Sequence, residues 1–444
     1  MRIGTTFLVS LISGLALLTA CDGGRTFNAN VVGIDQIDIE GVKAFASLNA
    51  TSAARAGVSE GAGETLLYAV DQQNNIILPD ISCNFVFGDE ITEKERQDII
   101  DDMNAVIQTE AMYDFGPYVL IKYHLSYTSS IINTGGGKVE LTQAVGFIYG
   151  AVRKSDGKAF TVINSYELNM WVDMMRYGII LRQYLTDSNA KTYMILENTC
   201  VTLTEEGNTL TVKFPDNNKV VRNIMTDKSG NVYLYDGYEI VAYNADGTTS
   251  PIKGNYWGAC SVDNQIYAFS LENNVIKAYQ ISDKEPQMIA ERSVDDSVNY
   301  PSSDAIYVGN INNELVFYGN NLIKYDLTNQ EFSTKQLSTE TLDYFKSGFT
   351  QYVGKYAYCV SSKGSYAELV RINLLDESKN VTKIDAPQGK TIVDNYHFAG
   401  SLASGYLRLK LSTTDGAVIT HNIFGEDDLP DFSGYVVHSV IPLQ

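Results

Sequence analysis

One pattern recurs along the C-terminal half of this chain and constrains its fold more than any other feature. A strand rich in Tyr, Val, Ile or Phe is followed by a short turn of Gly, Asn, Ser or Asp and then by a second strand. It reads "GNVYLYDGYEIVAYNADG" from Gly230, "NQIYAFSLENNVIKAYQISD" from Asn264 and "NELVFYGNNLIKYDLTN" from Asn313. It returns as "KYAYCVSSKGSYAELVRINLLD" from Lys355 and "GYLRLKLSTTDGAVITHNI" from Gly405. In the first copy the strands meet at Asp236-Gly237, a dipeptide that favours a tight hairpin turn. Tyr243, Tyr279, Tyr325, Ile372 and Thr420 occupy equivalent places, giving a period of roughly 36 to 48 residues. Each unit also has room for one strand before the hairpin and one after it. In the second unit "GACSVD", "QIYAFSL", "VIKAYQIS" and "QMIAERSV" are four successive candidates.

A four-stranded sheet that is apolar on both faces cannot bury them alone. Copies packed around an axis can, and they leave only short, protected edges. The expected fold class is therefore all-β, a β-propeller of four-stranded blades. Five units run from about Val220 to the C-terminus. The stretches from Thr65, Tyr118 and Val145 again read as strands and turns, and "TCVTLTEEGNTLTVKF" from Thr199 adds a hairpin. A closed ring then has about seven or eight blades, with six also open. Thr92 to Gln108 begins like a capping box and sets Ile99, Met103 and Val106 on one face, which predicts a short helical insertion. Glu167 to Leu185 is too uniformly apolar for periodicity to separate helix from strand, and reads as core.

The first twenty residues have a different character. Arg2 precedes the short apolar run Phe7 to Leu18, as in an export signal. Leu18-Thr19-Ala20-Cys21 then resembles the lipobox of bacterial lipoproteins. The resemblance implies cleavage before Cys21, acylation of its thiol, and a lipid anchor for an extracytoplasmic domain. The expected organisation is a signal peptide over 1–20, a lipidated cysteine and tether over 21–64, in which a closing strand is also open, and the propeller over 65–444. Asp22 resembles an inner-membrane retention signal of enteric bacteria, whereas other Gram-negative groups sort differently. The address is the cell envelope, with the outer membrane expected and the inner membrane open. No later run reaches the roughly 18 consecutive apolar residues of a membrane helix.

The net charge of −20, from 53 acidic against 33 basic residues, repels phosphate backbones and excludes nucleic acid as the expected partner. Cys83, Cys200, Cys260 and Cys359 lie far apart and form no C-x-x-C pair. The apolar runs around Cys260 and Cys359 read as buried free thiols. Gly57 to Gly61 matches the serine-hydrolase elbow G-x-S-x-G, but its small-residue setting does not make a strand-to-helix turn. Thr134 to Val139, "TGGGKV", lacks the earlier glycine and the Ser or Thr of a phosphate loop and reads as a turn. His124, His397, His421 and His438 show no metal-ligand spacing, and Asp227 to Asn231 and Asp295-Asp296 read as turns in preference to calcium loops. No catalytic motif is found, and neither a cofactor nor a metal is expected.

The lipobox together with hairpins such as "DKSGNVYLYDG" resembles β-propeller lipoproteins of Gram-negative envelopes. The resemblance implies a binding protein without naming its ligand. Aromatic residues precede several expected innermost strands: Tyr256-Trp257, Tyr300, Tyr344-Phe345 and Tyr396-His397. They either wedge blades together or present rings to a sugar or peptide, and Tyr256, Trp257, Tyr300, Tyr344 and Tyr396 are the candidate ligand-binding residues. The expected function is a binding or scaffold module for an envelope protein. Carbohydrate capture and a propeller glycosidase are the alternatives, since 53 acidic residues offer too many carboxylate pairs to choose among.

Overall fold

Turn chemistry sets the fold. In the stretch 258–293 the strands Gly258–Val262, Gln265–Glu272, Val275–Ser282 and Glu285–Ser293 follow one another through two-residue loops. Asp263-Asn264, Asn273-Asn274 and Asp283-Lys284 all sit at positive φ, from 49° to 67°. Two successive positive φ angles define a type I′ turn, whose twist matches that of the flanking strands and which short polar side chains adopt cheaply. At Asp236-Gly237 the glycine takes φ 100°, and the Asp236 carboxylate accepts the Tyr238 and Glu239 amides at 2.9 and 2.6 Å. The hairpin expected from sequence is therefore present, joining Val232–Tyr235 to Ile240–Tyr243.

The computed structural model describes residues 17–21, 26–34, 39–50, 66–77, 83–87, 105–127, 131–134, 137–140, 144–163, 168, 180–214, 220–243, 248–294, 301, 305–319, 321–347, 349–424 and 435–443. The chain divides into two compact units. One is Met1–Arg176 with Thr202–Phe214 and Glu426–Gln444, and the other is Tyr177–Val201 with Pro215–Gly425.

The second unit is a β-propeller. Four sheets follow each other, each antiparallel and in simple sequence order. They begin on the innermost strands Asn223–Thr226, Gly258–Val262, Ile306–Ile311 and Phe349–Val353. Ile392–Ser401, Tyr406–Thr413 and Val418–Phe424 form a further blade, and Ile180–Thr186 with Lys191–Leu196 begins another. Closure is by a parallel pairing, Ile180 with Gly400 and Leu181 with Ser401, extended by the Leu402 amide donating to the Leu181 carbonyl at 2.8 Å. Six innermost strands result, the smallest of the counts left open by the sequence. Tyr243, Tyr279, Tyr325, Ile372 and Thr420 each fall on the third strand of their blade, so the alignment of the repeats holds.

The core lies between blades. Tyr193, Ile195, Ile224 and Val232 fill one wedge, Tyr233, Tyr256, Ala259 and Ile266 the next, and Trp257, Phe269, Phe317 and Tyr325 a third. Val316, Leu322 and Ala357 fill a fourth, and Tyr358, Leu369, Phe398 and Leu409 a fifth. Each wedge takes its side chains from neighbouring sheets, which is why a single blade could not stand alone. At ~25 cal/mol per Å² and ~200 Å² for a buried aromatic ring system, Trp257 alone contributes at most about 5 kcal/mol of transfer free energy.

In the first unit, Tyr435–Pro442, Val42–Ala50, Leu66–Asp71 and Ile76–Ile77 make a four-stranded antiparallel sheet. Ala105–Phe115, Tyr118–Tyr127, Ala144–Arg153 and Ala159–Ile163 form an antiparallel series, and Thr209–Lys213 pairs in parallel with the last of them. A buried ion pair, Lys154 to Asp114 at 3.0 Å, lies at one end of the series.

Of the helix expected over Thr92 to Gln108, only the last four residues are described, and they are strand. Residues 91–104 lie outside the described residues, and Ala105 to Gln108 open a strand registered against Tyr127 to His124. Cross-strand pairing overrides the local helical periodicity there. The helix among the described residues is Thr339–Ser347. Ser338 caps it, accepting the Thr341 amide, and the Glu377 carboxylate holds the Ser338 amide at 2.9 Å and the Thr341 hydroxyl at 2.8 Å. Of the apolar stretch Glu167 to Leu185, residues 180–185 are strand and Leu168 is buried; the others lie outside the described residues. Gly57 to Gly61 and Asp295-Asp296 also lie outside them. Thr134 and Gly137 pair with each other, and all four histidines lie on strands.

The aspartate turns have a common chemistry. Asp227 accepts the Ser229 and Asn231 amides at 3.0 and 2.9 Å, the Asn231 side chain at 2.8 Å and the Tyr233 hydroxyl at 2.8 Å. Asp71, Asp187 and Asp326 hold their own loops in similar ways. Among the described residues no group of three or more His, Cys, Asp or Glu side chains is placed to hold a metal ion.

Candidate functional site

Innermost strands of a closed ring bring their side chains together on the axis, so the polar residues in them are the first to consider. Here they line a cavity of about 470 Å³ within the second unit. Its walls include Arg182 and Gln183, Arg222 and Asn223, Ala259 and Ser261, Ile306 and Tyr307, and Thr350 to Gly354, with Asn198, Tyr235, Ala305 and Leu402.

The amides among these residues lock the frame. Gln183 donates to the Ile224 carbonyl at 2.6 Å and accepts the Ile224 amide at 3.0 Å, tying one inner strand to the next. Asn223 repeats the device by donating to the Ala259 carbonyl at 3.1 Å. The tyrosines are also anchored. Tyr235 donates to the Tyr256 carbonyl at 3.1 Å, while burial pushes the Tyr307 and Tyr352 hydroxyls well above their ordinary pKa.

The two arginines differ from this frame. Arg182 occupies a register shift: Leu181 pairs with Leu196 and Gln183 with Ile195, leaving Arg182 as the extra residue of a bulge. Bulges re-aim a side chain, and this one belongs to a strand on the axis. Its guanidinium forms a long ion pair with Glu197 at 3.5 Å, and its buried Nε has no hydrogen-bond partner. The Glu197 carboxylate is already accepting the Ile180 amide at 2.8 Å. Burial lowers the pKa of Arg182 from the ordinary arginine value; Glu197 opposes the shift, and the charge of Arg222 adds to it. Arg222 is exposed and donates to the Asn198 side chain at 2.7 Å. Among the described residues the lining carries these two cations and no carboxylate, so the cavity is a cationic spot in a chain of net charge −20.

The residues singled out from sequence lie elsewhere. Tyr256 and Trp257 are each 1% exposed and fill successive wedges between blades. Tyr256 donates to the Lys253 carbonyl at 2.7 Å, and Trp257 stacks on Phe269 with ring centroids 5.4 Å apart. Tyr344 is half-buried on the helix beneath Lys379, and Tyr396 lies within the inner strand Ile392–Ser401, where its hydroxyl accepts the Ser362 amide at 2.8 Å. Tyr300 is outside the described residues. The structure therefore does not gather the four described aromatic residues into one patch.

A signal for the arginines was present. Arg182-Gln183 and Arg222-Asn223 are arginine–amide dipeptides in apolar strand contexts, separated by one repeat period. The amide staples the neighbouring strand while the arginine lines the cavity.

No protein-family model matches the sequence, and neither does any curated protein. Similar solved structures include a protein named as a 6-phosphogluconolactonase from Bacteroides uniformis, at 11% identity and TM-score 0.29, over 67% of this chain and 94% of that one. The extracellular domain of a hybrid two-component system from B. thetaiotaomicron is similar at 10% identity and TM-score 0.34, over 92% of this chain and 56% of that one. The WD40 domain of Neurospora crassa Pan2 is similar at 12% identity and TM-score 0.30, over 72% of this chain and 91% of that one. The assignment of a propeller here rests on the strand order and closure described above.

Proposed function

We propose that this chain is an extracytoplasmic binding module, a propeller held at the bacterial envelope by a lipid on Cys21, which takes its ligand into the axial cavity of the second unit. The supporting observation is the cavity itself, about 470 Å³ among the inner strands, three of which Gln183 and Asn223 staple together. A rigid, pre-formed concavity binds without paying for its own ordering. Of the partners considered from sequence, an envelope glycan fits better than a broad protein face, because the space is compact and suits one or two sugar units. The glycosidase reading expects a deep acidic pocket, and this one is cationic.

Two measurements test the proposal. Cys21→Ser removes fatty-acid labelling and releases the chain from membranes; unchanged labelling and sedimentation overturn the anchor. Purified mature protein retains saccharide from solubilised envelope glycans, and Ser261→Phe, which fills the cavity, loses it while keeping its strand circular dichroism. Equal retention by both proteins overturns the axial site.

A further inference from the structure

The charge pattern of the cavity specifies what a ligand must bring. Arg182, on one inner strand, and Arg222, immediately before the next, line one space, and the charge of Arg222 disfavours that of Arg182. A structural role for Arg182 would pair its guanidinium fully, yet its contact with Glu197 is 3.5 Å long and its buried Nε meets no acceptor. Glu197 is not part of the lining, and its Oε1 is committed to Ile180. Arg182 is therefore held incompletely by its own fold, while its side chain stays partly exposed within the lining. The bulge places Arg182 in the cavity wall. The lining is a planar multi-donor fork beside a second cation, the arrangement that matches an oxyanion with two acceptor atoms.

We propose that the axial cavity is an oxyanion subsite in which Arg182 and Arg222 together bind the carboxylate or phosphate of an acidic sugar. The proposal rests on the glycan reading above and adds the charge of the ligand. The anion offsets the effect of the Arg222 charge on Arg182 and gives both guanidinium groups an acceptor. Arg182, held in place by its bulge, supplies direction, and the more exposed Arg222 supplies further attraction.

Calorimetric titration of the mature chain with glucuronate, glucose 6-phosphate and glucose tests this. At least one acidic sugar binds about tenfold or more tightly than glucose, and its affinity falls as salt rises from ~50 to ~300 mM. Arg182→Gln and Arg222→Gln each weaken that binding about tenfold or more. Lys228→Gln, an equal change of charge at an exposed turn, leaves it unchanged. A preference for glucuronate identifies a carboxylate subsite, and a preference for glucose 6-phosphate a phosphate subsite. Failure of both acidic sugars to bind overturns the proposal, as does full affinity in the exposed variant Arg222→Gln. If glucose binds as tightly as the acidic sugars and Ser261→Phe abolishes all binding, the oxyanion claim falls while the glycan reading stands.

Discussion

Replacing Asp227 by alanine tests whether one buried turn carboxylate holds the second unit together. Asp227 is 4% exposed and accepts four hydrogen bonds. The Ser229 and Asn231 donors are near enough to the surface for water to take over. The Tyr233 hydroxyl is not: its residue is 0% exposed, and its oxygen already accepts the Lys284 amide at 3.2 Å. Losing Asp227 therefore orphans one buried hydroxyl at ~1–3 kcal/mol and exchanges the other bonds for water at some further loss, for a total of about 2–4 kcal/mol. For a cooperative unit of this size that lowers the melting temperature by roughly 5–15 °C. Asp326→Ala removes a similar turn at the surface and moves it far less. Tyr233→Phe removes the orphaned donor, so the double variant Asp227→Ala/Tyr233→Phe melts well above the sum of the single effects. Melting is followed by circular dichroism at neutral pH. Equal shifts for Asp227→Ala and Asp326→Ala, or strict additivity in the cycle, would refute the reasoning.

Three further predictions follow from local chemistry. Gly400 closes the ring at φ 145°, where a Cβ would lie 2.6 Å from the Tyr406 carbonyl oxygen, so Gly400→Ala destabilises the second unit by about 3 kcal/mol in urea unfolding. Glu377 is held down to about 2 by its hydrogen bonds from Ser338, with Thr341 and Lys335 adding to the effect against the cost of burial. Its folded pKa is depressed, so its contribution is complete above the ordinary value of 4.5 and is lost as pH falls towards 2; the stability gap between wild type and Glu377→Gln closes across that window. Cys200, Cys260 and Cys359 are free and buried, and burial pushes the Cys200 thiol up to about 12. Iodoacetamide followed by peptide mass spectrometry finds these three unmodified in the native protein and alkylated in denaturant.

The fold was legible where local rules and tertiary packing agree. Asn-Asn and Asp-Asn dipeptides define type I′ hairpins by themselves, and the short apolar runs beside them, such as Val232–Tyr235, mark strands with both faces buried, so the blades from Val220 onward could be read directly. The candidate site was not legible in the same way. Tyr256 and Trp257 stand before an inner strand, as the sequence indicated, but a ring large enough to bind a ligand is also large enough to fill a wedge, and only the neighbouring blade decides which. Arg182 lies in an apolar run, and its aim depends on a bulge whose register is set by the partner strand Lys191–Leu196. The helix at Thr92 to Gln108 failed at its last turn for a related reason, since the pairing partner of that segment is supplied by Tyr118–Tyr127.

The central claim, that this propeller binds through its axial cavity, is tested most directly by site-specific photocrosslinking in intact cells. A benzophenone amino acid is placed at Ser261 in the cavity wall and, separately, at Met288, which is 53% exposed on an outer strand. The account predicts a saccharide adduct at position 261 and none at position 288. Adducts at 288 with none at 261 would contradict it.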